Sequence, residues 1–211
     1  AEETGEDAPS WQDVYMQYNG IPYFAGEEFN LRIGHWKEPF NLDEINSISN
    51  RSFVENPLID AIVHSRNTGI MIYDSALGEP GQERMSWQLG IFKDTDDFPS
   101  SNDSDEDQGW AFTGRVTGLP YYAQEGRRLI HLGLGYSRRN PDGAPLGYGV
   151  RPESRLALFR YINPDALPVG FRLLDARADN VDLWGPEFAM NMGPWNVQAE
   201  GVFSEIDSTF A

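Results

Sequence analysis

The chain has 211 residues, of which 13% are aromatic and 21 are glycine, with no cysteine and a formal net charge of −17. That length supports one all-β domain, or at most two small ones, with a real core, and the lack of cysteine excludes disulfides and zinc–thiolate sites while suiting a cytosolic or an envelope protein equally. The charge balance excludes a nucleic-acid partner, because nothing basic is contiguous enough to follow a phosphate backbone.

The acidity is local. Residues 1–13 carry five acids and residues 94–107 carry seven, with no Lys or Arg in either; without these twelve, 21 acids face 16 bases. Residues 1–10 read as an acidic N-terminal segment ahead of one β portion over 11–211. Residues 94–107 read as a solvated loop. Within it Asp94, Asp96, Asp97, Asp103 and Asp105 are weak Ca²⁺ candidates, too loosely spaced for an EF-hand loop; no other metal and no cofactor is expected. No run of eighteen apolar residues offers a transmembrane helix. The opening "AEETGEDAPSW" lacks the basic and apolar regions of a signal peptide and reads as processed or truncated.

Period-two alternation and turn residues predict about ten strands in chain order. The first five fall at 11–19, 27–36, 67–74, 83–93 and 109–119. The others fall at 129–137, 153–161, 171–177, 185–192 and 195–203. Several reach the ~9–11 residues that a tilted strand needs to cross a bilayer. The connections alternate: 20–26, 75–82 and 120–128 are short, whereas 37–66, 94–108 and 138–152 are longer. Short turns at one end and long loops at the other are the habit of outer-membrane barrels, although a soluble meander can share it.

The faces of these strands differ. Met85, Trp87, Leu89 and Ile91 oppose Ser86, Gln88 and Gly90. Trp110, Phe112, Gly114 and Val116 oppose Thr113, Arg115 and Thr117, and Trp195, Val197, Ala199 and Phe203 oppose Asn196, Gln198 and Glu200. Aromatics gather at strand ends, at Trp36, Trp110, Tyr136, Trp195 and Phe203; with Trp87 they are the candidates for lipid-facing or girdle positions. In 129–140, Ile130, Leu132, Leu134 and Tyr136 share one side and His131 the other. A β-sandwich also pairs an apolar with a polar face, so periodicity alone leaves membrane barrel and sandwich open.

Residues 40–63 break the pattern. Leu42, Ile45 and Ile48 have helical spacing, Asn41 could cap, and Pro57 interrupts any long helix, so a helical or irregular insert is expected. In a channel, such a loop folds inward and narrows the pore. There is no P-loop, no G-x-S-x-G and no H-E-x-x-H, and the three His are scattered.

At "LRIGHWKEPFNLDEINS" the chain resembles the phosphate-selective porin O and P family of Gram-negative outer membranes. Matching blocks follow in the family's order: "ENPLIDAIVHSRNTGIMIYD", "WQLGIFKDTDD", "AFTGRVTGLPYYAQEGRRLIHLGLGYSRR", "RPESRLA" and "GPWNVQAEGVF". The resemblance covers roughly residues 14–206. It implies an antiparallel transmembrane β-barrel of about sixteen strands, of which about ten fall in this chain, so the chain reads as part of a larger barrel in preference to an unusually small relative. It further implies an outer-membrane location, a homotrimer, lipid around the wall, and small anions as permeants, with phosphate or pyrophosphate as the finer expectation. Ile130, Leu132, Leu134 and Tyr136 would then face lipid, and His131 would be a polar wall residue.

A porin is not an enzyme; it biases diffusion with charged groups at a constriction. Arg32, Lys37, Arg66 and Arg115 are the anion-binding candidates, since an Arg fork matches two oxygens of a phosphate. Each Arg could instead pair with a carboxylate such as Glu38 or Glu55. The acidic loop also admits a general or cation-preferring pore, acting as an external electrostatic funnel. Two readings of other classes remain. One is a soluble β-sandwich carbohydrate-binding module using Trp87, Trp110 and Trp195. The other is a hydrolase using the pairs Asp182 and Glu187, or Glu200 and Glu205.

Overall fold

The computed structural model describes residues 13–24, 27–47, 57, 59, 62–78, 81–93, 109–140 and 177–209. The acidic segment 1–10, the five Ca²⁺-candidate aspartates of the 94–107 loop, Glu55, the predicted strand 153–161 and all but the last residue of 171–177 lie outside these. Nine strands are described: β1 (Val14–Phe24), β2 (Glu27–Lys37), β3 (Arg66–Ala76), β4 (Met85–Lys93), β5 (Trp110–Ala123), β6 (Arg128–Asn140), β7 (Arg177–Met192), β8 (Trp195–Glu200) and β9 (Phe203–Thr209). The one described helix, α1 (Leu42–Ile45), is a single turn.

Every pairing is antiparallel, and from β1 to β8 each strand pairs with its neighbours in sequence. The result is an open up-and-down meander, whose edges are not joined in these residues. Short turns at 77–84, 124–127 and 193–194 lie at one end; 38–65, 94–109 and 141–176 connect strands at the other. Antiparallel neighbours need only a tight turn, and Gly193 supplies one at φ +63°, a left-handed conformation that glycine adopts without strain.

The predicted strand 195–203 is longer and interrupted. β8 pairs with the C-terminal part of β7 (Glu187↔Glu200), and β9 pairs with its N-terminal part (Trp184↔Phe203). Two residues, Gly185 and Pro186, oppose two, Gly201 and Val202, so the register runs straight through. The break is chemical. Pro186 has no N–H for the ladder, while its carbonyl still accepts the Gly201 N–H at 3.1 Å.

Directly paired residues share a face, so register sorts the whole sheet. One face is bare and apolar. Ile33, Ile70, Leu89, Ile91, Phe112, Val116, Leu132 and Leu134 all lie on it, each 40 to 50% exposed. A contiguous apolar surface of this kind marks contact with something other than water. The opposite, covered face holds both groups of buried apolar side chains. Trp36, Met71, Phe92 and Ala111 form one. Phe40, Val63, Val181 and Leu183 form the other, so the segment after β2 supplies two of its members.

Candidate functional site

The covered face carries the charged chemistry. On β5, Arg115 is buried and forked: Nε and Nη2 donate to Glu187 Oε1 and Oε2 on β7 at 2.6 and 2.8 Å. His131 Nε2, on β6 between them, lies 3.2 Å from the same carboxylate. Gly133 is the register partner of Glu187, and a Cβ there would lie 2.5 Å from the Glu187 carboxyl carbon. The missing side chain on β6 therefore makes room for an ion pair that reaches across it.

A second buried centre surrounds Glu38, the first residue after β2, which is 1% exposed. Arg139 Nη1 and Nη2 donate to it at 3.0 to 3.1 Å, Thr113 Oγ1 donates at 2.7 Å, and Asn67 Nδ2 also donates. Such a carboxylate, removed from water, depends on charge-assisted partners. The chain then runs across the covered face. The Phe40 carbonyl sits over Gly135 on β6, its ring lies beside Gly185 on β7, and the Asp43 N–H donates to Glu200 on β8.

The four cations expected at a constriction divide three to one. Arg115 is taken by Glu187. Lys37 Nζ donates to the Glu44 carbonyl and lies 3.5 Å from Glu44 Oε1. Arg66 Nε donates to Asp13 at 2.9 Å. Arg32 alone of the four has no carboxylate partner among the described residues. Its Nη2 donates to Gln17 Oε1 at 3.0 Å, and its guanidinium lies 4.3, 5.1 and 5.8 Å from the ring centroids of Tyr15, Tyr73 and Trp36. Its Nε is buried without an acceptor. Ring faces attract a cation without cancelling its charge.

The aromatic candidates separate by face. Trp110, Trp195 and Phe203 stand on the bare face, 61, 72 and 66% exposed. Trp87 shares it, as register partner of Val116. Tyr136 is half-buried there, tilted against Trp184 with its hydroxyl donating to Asp182. Trp36 differs from the expectation of a girdle. It lies on the covered face, 3% exposed and edge-on to Phe92 at 5.4 Å, because β2 turns its even-numbered residues that way. Ile130, Leu132, Leu134 and Tyr136 fall on the bare side, and His131 opposite them.

The carboxylate pairs considered for hydrolysis are divided by the sheet. Asp182 and Glu205 pair on the bare face, whereas Glu187 and Glu200 pair on the covered one. Among the described residues no three His, Asp or Glu side chains converge as a metal site, and no helix is long and apolar enough to cross a membrane. Sequence reasoning missed Arg139 and the role of Glu187 as partner to Arg115. The alternation that put His131 on the polar side extends to Ser137 and Arg139 and was the available signal.

A family model described as phosphate-selective porin O and P matches residues 1–209. No curated protein matches the chain.

Proposed function

The chain belongs to the phosphate-selective porin O and P family, and from that premise we propose that it lines a passive pathway for small anions, phosphate among them, across a Gram-negative outer membrane. Family membership makes it a channel protein rather than an enzyme, with the all-β fold of a transmembrane barrel. In hydrocarbon every backbone group must be paired, so a sheet with one lipid-facing side has to close; more wall than these nine strands is part of the proposal. The bare face takes the lipid side and the covered face the aqueous side. Residues 38–45, lying across the covered face, narrow the pathway. Assembly as a homotrimer is part of the same reading.

The observation that carries anion preference is Arg32. The buried arginines Arg115 and Arg139 are each neutralised by a glutamate, while Arg32, on the covered face, has no carboxylate partner among the described residues. An unneutralised cation there attracts anions electrostatically, and a guanidinium favours an oxyanion with two adjacent oxygens. Lys37 and Arg66 are held by carboxylates and contribute less.

The test is the reversal potential in a planar bilayer under a KCl gradient, with and without added phosphate. The expected result is an anion-selective current that phosphate reduces, with selectivity falling in Arg32→Ala and largely kept in Arg32→Lys. A cation-selective wild-type current would keep the channel and overturn the anion assignment.

A further inference from the structure

The segment that crosses the covered face is held by groups that are not themselves free to meet a permeant ion. Glu38 is the anchor at its start. From one buried carboxylate it reaches β3 through Asn67, β5 through Thr113 and β6 through Arg139, and its own backbone N–H donates to the Ser65 carbonyl at 2.8 Å. Both ends of the excursion are thereby tied together where they leave the sheet. Two residues later the backbone is pressed onto the wall. A Cβ built on Gly135 would lie 2.0 Å from the Phe40 carbonyl oxygen, far inside any permitted contact, and one on Gly185 would lie 3.0 Å from the Phe40 ring. β6 and β7 therefore present a side-chain-free seat at the point where the segment crosses them.

We propose that Glu38 and the Gly135 seat are positioning elements for the constriction: the carboxylate fixes where the segment starts, and the glycine fixes how close it lies to the wall. Pore width is then set by wall residues that never touch a permeant ion. Charge follows from the same device, because the pin also cancels Arg139. A buried ion pair with further hydrogen bonds holds one geometry, since every alternative leaves an uncompensated charge. Packed interfaces of this kind are bistable and not continuously deformable, so loss of the pin releases the segment as a unit. The inference rests on the porin reading above.

The experiment compares single-channel conductance and reversal potential for the wild type, Gly135→Ala and Glu38→Gln, each purified in detergent and shown to be folded by heat-modifiable migration. Gly135→Ala pushes the segment off the wall without changing charge. Its conductance should fall, because the displaced segment stands further into the pathway, with the reversal potential unchanged. Glu38→Gln releases the segment and leaves Arg139 without its carboxylate. Its conductance should instead rise, and its reversal potential should shift further toward the anion limit. These two readouts separate positioning from mere wall stability, which would change unfolding and leave conductance alone. If Gly135→Ala does not fold, Glu38→Gln decides. Wild-type conductance in folded variants would overturn the pin and leave the porin reading intact. A wild type that conducts no ions would overturn both.

Discussion

Two arginines of the same face illustrate how a neighbour decides what a charge can do. Arg115 and Arg32 both occupy polar positions of strands, yet Arg115 meets a carboxylate in a two-point fork and Arg32 meets three ring faces and an amide. In the first case the charge is spent inside the wall. Removing its partner should be costly: Glu187→Gln leaves a buried guanidinium uncompensated, and urea unfolding in detergent should show a loss of about 3–5 kcal/mol. Glu187→Gln should also move the reversal potential toward anions, since a wall carboxylate is lost. In the second case the charge stays available, so Arg32→Ala should change selectivity more than stability. Only the ring contacts, worth about 1–2 kcal/mol at most, and the exposed hydrogen bond to Gln17 are lost with it.

At the scale of the element, alternation and register do most of the explaining. A strand that sends odd residues one way sends even residues the other, and antiparallel partners keep the assignment from strand to strand. Leu89 sits mid-strand on the bare face between Ile72 and Gly114. Leu89→Arg should therefore destabilise the protein in bilayers by about 2–4 kcal/mol, the cost of a charge near the midplane. The 77–84 turn has its own local control. The Gly81 N–H donates to Glu83 at 2.8 Å and holds its carboxyl below the usual glutamate range, helped by the Glu83 backbone. A depressed carboxylate contributes its support above its unfolded value and loses it as pH falls through the folded one. NMR titration of Glu83 should give a midpoint below that of an unstructured glutamate, and Gly81 amide protection should fade in the same acidic window.

The strands at 27–36, 83–93 and 109–119 were legible to within a few residues, because pattern and turn signals agreed there. The strand 195–203 was not, since its interruption is caused by Pro186 on another strand. Nor was the position of Trp36, which a strand-end rule sends to a girdle and the register of β2 sends to the covered face. Residues 40–63 read as an insert from their mixed periodicity alone. Their seat on Gly135 and Gly185 could not be read, because nothing near those glycines in sequence mentions Phe40.

For the whole molecule, the family supplies the membrane and the structure supplies the two sides. The division makes a prediction about tryptophans. In liposomes containing brominated acyl chains, a single-Trp variant retaining Trp110 or Trp195 should be strongly quenched, while one retaining Trp36 should not. Equal quenching of all three would contradict the assignment of the bare face to lipid. On the reading proposed above, conduction depends on the covered face as a unit, where Arg115 pairs with Glu187, Arg139 pairs with Glu38 and one segment lies across the wall.

The amino-acid sequence by itself determined the β architecture, the two-sidedness of the strands, the alternation of short and long connections, and membership of a porin family. All of these are local or cumulative properties: a period of two residues, a turn residue, blocks in a given order. Only the tertiary structure decided which charges remain active. Arg115 and Glu187 are 72 residues apart in the chain, and Glu38 and Arg139 are 101 apart. Their pairing follows from strand register and from a segment laid across the sheet. Electrostatics acts through space, so an arginine's sequence position says which face it occupies, and only the fold says whether a carboxylate is waiting there.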